Sequence, residues 1–209
     1  LVRGLLERDQ VHIVAMTGSY FRGDQIAVMR PEDEDRFERV TYTYYEQLDG
    51  YSHLKTLGIG YHFYRGRYLD AIGEVLDPDK KTIVHIPNVN AAESVMEKYD
   101  EVNHVIQTLG EYEATDAKTG FLLVRRPNGK ILKIADLVDD GPSRDKVIGS
   151  LRRLKGRDDV DIIIALGMAK EGFDWIWCEH ALTVGYRSSL TEVVQIIGRA
   201  TRDAPGKEH

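Results

Sequence analysis

Near its carboxy end the sequence reads VVQIIGRATR over residues 193–202. Gln195, Arg199 and Arg202 recur at i, i+4 and i+7, which on a helix stacks them along one face. Val193, Val194, Ile196, Ile197 and Ala200 are left to fill a core. Like charges one turn apart repel by a few tenths of a kcal/mol, and an anion bridging them reverses the sign. A guanidinium fork fits phosphate oxygens, stays ionised, and stabilises charge developing on a transferring phosphoryl group. The plain counterpart of this reading is a solvated basic face on an amphipathic helix.

A second constellation is ALGMAKEGFD, residues 165–174, which follows an apolar strand pattern. Gly167 and Gly172 punctuate a turn at the carboxyl end of that strand, where exposed amides can approach phosphate or ribose oxygens. Asp174 offers an acceptor for a hydroxyl or an arginine. An ordinary glycine-capped turn has the same composition.

The elements that must position these residues are readable from periodicity. Ser189 and Glu192 stand in the S-x-x-E relation of a capping box, and Pro205 and Gly206 stop the final helix soon after Arg202. Gly198 inside it costs roughly 1 kcal/mol relative to alanine, which points to close backbone packing. Upstream, residues 2–8 are helical in pattern and residues 11–19 read as a short buried strand. A polar connector with Gly23 and Pro31 follows, then the Thr- and Tyr-rich run at 39–48, for which strand is favoured. Helical spacing marks residues 64–76, an apolar strand 82–88, and a helix from about Ala91 to Val105. Pro127, Asn128 and Gly129 split residues 120–138 into a hairpin. A helix over 143–156 and strands over 159–166 and 180–186 complete the series.

Strands separated by helices predict an α/β fold: a parallel sheet with helices on both faces and an inserted β-hairpin. The ligand edge of such a sheet lies at the carboxyl ends of its strands. The chain has 209 residues and 42% hydrophobic content, enough for a proper core, and begins on Leu1, which reads as a piece of a longer protein. No apolar run approaches the about 20 residues needed to cross a bilayer, so no membrane partner is expected. Cys178 is the sole cysteine, which excludes an intrachain disulfide and suggests a cytoplasmic setting. Histidine spacing predicts no metal site. A net charge of −6 argues against a protein that coats nucleic acid everywhere, while leaving room for a local basic channel.

Strand, then K-E-G-F-D, then a further strand, then Q-I-I-G-R-A-T-R resembles motifs V and VI of the superfamily 2 helicases, in the C-terminal RecA-like domain. The flavour is closest to restriction-enzyme-type helicase subunits. AMTGS at 15–19 resembles motif III, and TIVHIPNVNAAESV resembles motif IV. The resemblance implies a domain plan of 1–24 as the remnant of the first RecA-like domain, 25–56 as connector and strand, and 57–209 as the second RecA-like domain. It implies an ATP-dependent helicase or translocase. Gln195, Arg199 and Arg202 would face a nucleotide bound on the other domain, with both arginines as fingers, and Glu171, Gly172 and Asp174 beside that nucleotide. His85, Pro87, Asn88, Gly167 and Lys170 would touch nucleic acid, DNA in preference to RNA. Thr17, Gly18 and Ser19 would couple the two activities.

No G-x-x-x-x-G-K-[ST] run occurs, and EDED at 32–35 follows Pro31 in a polar connector, which makes it a solvated loop instead of a metal-binding box. ATP and magnesium would therefore be bound mainly by an upstream domain, and the fragment by itself is expected to be inactive. Weaker signals for nucleic acid are the basic stretch 143–157, the hairpin tip RRPNGK, and seven tyrosines between Tyr42 and Tyr68, for which core packing is preferred. Two rivals stand beside the helicase: a non-catalytic RecA-like scaffold or nucleic-acid-binding module, and a duplex translocase that does not unwind.

Overall fold

The computed structural model describes residues 2–8, 10–16, 29–87, 94, 97–166, 174–185 and 190–209. Its centre is a six-stranded sheet in the order β2-β3-β4-β5-β1-β6. β1 (Thr82–Ile86) pairs in parallel with β5 (Ile162–Leu166) on one side and with β6 (His180–Thr183) on the other. β4 (Ile131–Asp136) extends the parallel set through β5. β3 (Leu122–Arg125) and β2 (Glu111–Thr115) then add antiparallel strands at that edge.

Alternation along the strands builds a core on each face. Val84, Ile86, Ile134, Ile162 and Ile164 meet α4 (Tyr68–Val75) and α5 (Lys98–Leu109) on one side. Ile83, Ala135, Ile163 and Ala165 meet α6 (Ser143–Leu151), Trp175 and Cys178 on the other, with Ala200 of α7 (Leu190–Ala200) partly packed there. On α5 the buried apolar residues are Val102, Val105, Ile106 and Leu109, the i, i+3, i+4, i+7 stripe of a helix lying on a sheet. The α/β fold with helices on both faces and a hairpin is thus the one the sequence predicts. The hairpin turns where Asn128-Gly129 places it: Gly129 adopts φ 84°, and the Arg126 amide donates to the Lys130 carbonyl at 2.9 Å.

Several expected elements differ. Residues 11–16, the described part of the expected strand 11–19, form no strand; Val14 and Met16 are 84% and 91% exposed, and among the described residues no strand pairs with them. The run 39–48 is not a strand either, because α3 (Tyr44–Asp49) begins inside it. The cause is local: the Thr43 hydroxyl accepts the Glu46 amide at 3.2 Å, and Glu46 accepts the Thr43 amide at 2.7 Å. That capping box outweighs the β propensity of the Thr and Tyr residues. Residues 31–34 form a one-turn helix, α2 (Pro31–Glu34), in place of the expected loop, and α1 (Val2–Leu6) is helical as expected. α5 starts at Lys98, later than the predicted Ala91, and α6 ends at Leu151, earlier than predicted. β2 has no counterpart among the sequence expectations.

Core packing of the tyrosines is also corrected. Tyr42, Tyr45 and Tyr61 are largely exposed, and Tyr64 is 39% exposed. Among the tyrosines of that run whose burial is described, Tyr68 is the buried one, its hydroxyl donating to the buried Glu101 carboxylate at 2.9 Å. Burial first, and then that carboxylate, push the Tyr68 pKa well above the ordinary tyrosine value.

Candidate functional site

α7 carries Gln195 and Arg199 and ends at Ala200, so Arg202 projects from the turn after the helix instead of lying on it. Gln195 and Arg202 are exposed and Arg199 is partly buried. Burial pushes the thiol of Cys178 up to about 11, opposed first by the Lys207 charge and least by that of Arg199. The two arginines therefore stand in different surroundings. Of the apolar residues expected to fill a core, Ile196 is buried while Val193, Val194, Ile197 and Ala200 are half-buried.

The Arg202 guanidinium lies 3.5 Å from the Asp174 carboxylate, with the two side chains 52% and 60% exposed. Residues read separately as parts of two motifs are thus brought together. A pair this long and this exposed contributes about 0–1 kcal/mol, so either partner is energetically cheap to separate.

Its location departs from the expected carboxyl edge of the sheet. The buried Lys207 ammonium donates to the carbonyl of Arg202 at 2.8 Å and of Ile176 at 3.3 Å. Arg157, just before β5, donates to the Gly206 carbonyl at 3.3 Å and to both oxygens of Glu179, just before β6, at 2.9 Å. The turn holding Arg202 is therefore tied to the amino ends of β5 and β6. Residues 52–56 join the same cluster. The Ser52, His53 and Leu54 amides each donate to Asp203 at 2.9 Å, and the Lys55 and Thr56 amides donate to the Glu208 carbonyl. Those three amides, that of Leu54 first, hold the Asp203 carboxyl below its ordinary value.

Asp203 and Lys207 were not singled out for this site by the sequence. Lys207 had one usable signal, its place in an A-P-G-K run directly after the arginines. Desolvation lowers its pKa, with the Cys178, Glu179 and Asp203 charges opposing the shift.

His85 and Pro87 were expected to touch nucleic acid, yet both are buried, so neither side chain presents a surface to a phosphate backbone. The strand that carries His85 is covered on both faces, which is the physical reason. Asn88, Gly167, Lys170, Glu171, Gly172, Thr17, Gly18, Ser19 and Ser189 lie outside the described residues, as does the Glu192 side chain. At the hairpin tip the basic residues are engaged with acids: Arg125 with Glu113 at 2.6 Å, and Arg126 and Lys130 with Asp79 at 2.5 and 3.3 Å. Lys146, Arg152, Arg153 and Lys155 on and after α6 are exposed, while Arg157 serves the tie described above.

No protein-family model matches the chain, and no solved structure matches it. A curated protein of Bacillus subtilis (strain 168), named "Putative ATP-dependent helicase YeeB", is 61% identical over 210 residues. The match covers 100% of this chain and 35% of the relative, so the chain spans about a third of that protein's length. Along its whole length, then, the chain is similar to one part of a protein named for ATP-dependent helicase activity.

Proposed function

We propose that this chain is the second motor domain of an ATP-dependent nucleic-acid helicase or translocase of superfamily 2. In this reading Arg202, with Arg199, reaches the phosphates of ATP bound on a neighbouring RecA-like domain. The observation that carries it is the state of the Arg202 guanidinium: solvent-facing, beyond the end of α7, and paired among the described residues with Asp174 in a long, half-exposed contact. A guanidinium in that state can exchange one acceptor for phosphate oxygens at small cost. The name of the Bacillus subtilis relative supports the same activity class.

The residues present fit one part of a nucleotide site. The fork of Arg202 matches phosphate oxygens, Asp174 orients it, and Gln195 is exposed on the adjoining helix. They do not fit the phosphate cradle, for which the sequence has no G-x-x-x-x-G-K-[ST] run. When bound, ATP with magnesium supplies the phosphoryl group that is transferred. The exposed basic residues Lys146, Arg152, Arg153 and Lys155 suit a nucleic-acid backbone, with DNA the preferred partner.

In the complete protein, Arg202→Ala is expected to lower kcat for ATP by about 10³-fold or more, with nucleotide affinity changed little. Steady-state turnover and equilibrium nucleotide binding check this together. Weakened binding with turnover intact would contradict the finger role.

A further inference from the structure

We propose that Asp203 and Lys207 are positioning residues for Arg202, a role that rests on the finger reading above. Both tie down the turn that carries it. Asp203 is the next residue, and its two carboxylate oxygens take three amides, from Ser52, His53 and Leu54, each at 2.9 Å. Lys207 takes the carbonyl of Arg202 itself at 2.8 Å. Its ammonium also takes the Ile176 carbonyl at 3.3 Å, two residues beyond Asp174. One buried cation thus joins the segment that carries Asp174 to the turn that carries Arg202. The guanidinium and carboxylate then meet without a strong bond of their own.

Anchoring the carboxy-terminal segment would not by itself call for these groups. Lys207 is 0% exposed, and an ammonium loses its hydration on burial before its hydrogen bonds return any of it. An apolar side chain would hold the segment at less cost. What an apolar side chain lacks is the ability to fix two carbonyls at one point. Asp203 shows the same economy of place: three donors converge on one carboxylate from a stretch 149–151 positions away. Asparagine has a single acceptor oxygen, so at this position its amide nitrogen would face an N–H.

The test uses the complete protein and a double-mutant cycle. Asp203→Asn and Lys207→Met are each expected to lower kcat for ATP about tenfold with KM within about twofold. In an Arg202→Ala background neither should cost anything further, because the group they hold in place is already gone. Equal fold losses in both backgrounds would overturn the proposal. So would a lowered Tm with kcat per folded molecule unchanged, which is the signature of simple anchoring. If Asp203→Asn fails to fold, Lys207→Met carries the cycle, since methionine suits a buried site. An Arg202→Ala protein with undiminished kcat sinks the finger reading and this role together. A normal Arg202→Ala loss with additive second mutations sinks this role alone.

Discussion

At the amino ends of β1 and β5, charge is buried and bonded several times over, whereas the Arg202–Asp174 pair is exposed and, among the described residues, its arginine meets one acid. Lys81, with its side chain 6% exposed, donates to Asp161 at 2.7 Å and to Asp158 at 3.1 Å. Asp161 accepts the Lys133 amide as well, and Glu179 accepts both Arg157 and the Lys81 amide. Arg202 and Asp174 have the opposite character, half-exposed and 3.5 Å apart. Many partners and low exposure fix a charge in one geometry, and a lone exposed partner leaves it free to change. The first arrangement serves the fold, and the second is what the finger role proposed above requires.

The largest expected effect falls on the buried side. Lys81→Ala leaves the Asp161 carboxylate, 14% exposed, without its ammonium, and should cost about 3–5 kcal/mol of stability. Urea denaturation of the purified chain measures it. A cost under about 1 kcal/mol would erase the contrast between the two regions. Acid should act at the same cluster, through its exposed carboxylates Asp158 and Asp159. The ammonium of Lys81 holds the Asp158 carboxyl below its ordinary value, and the Lys155 and Gly156 amides do the same for Asp159. Carboxylates depressed in the folded state contribute stability above their unfolded pKa and lose it as pH falls through the folded value. Tm should therefore be flat toward neutrality and drop below about pH 4. Asp158→Asn should make that drop shallower.

How far the sequence reveals these regions depends on the reach of the interactions. β1 and β5 were legible because strands covered on both faces read as continuous apolar runs, and the hairpin because only certain residues fit its turn. Residues 11–16 misled because strand propensity says nothing about whether a partner strand is present. At the site, Arg202 and Asp174 stood out by residue type, while the hold on Arg202 did not. Asp203 and its three amide donors are about 150 residues apart, and Lys207 looks like a surface lysine until its burial is known. The hairpin tip shows the same limit: its basic residues suggested a nucleic-acid probe, but Asp79, which pairs with two of them, lies 47 positions from Arg126. Arg126 is 14% exposed at that pair, so Arg126→Ala should cost about 1 kcal/mol, measured by the same urea titration. No measurable loss would place the tip with the open region.

The smallest expected effect is the most informative. Arg202→Ala removes a guanidinium that is 52% exposed, and the carboxylate it leaves behind is 60% exposed and stays hydrated. No buried charge is orphaned, which is the mechanism behind large losses. The stability of the chain should change by no more than about 0.5 kcal/mol. The same substitution is expected to abolish most ATP turnover in the complete protein, so stability and activity should separate at this residue and move together at Lys81. If Arg202→Ala instead destabilises the chain as much as Lys81→Ala, the arginine belongs to the structural network. Any loss of turnover would then follow from unfolding, without a finger.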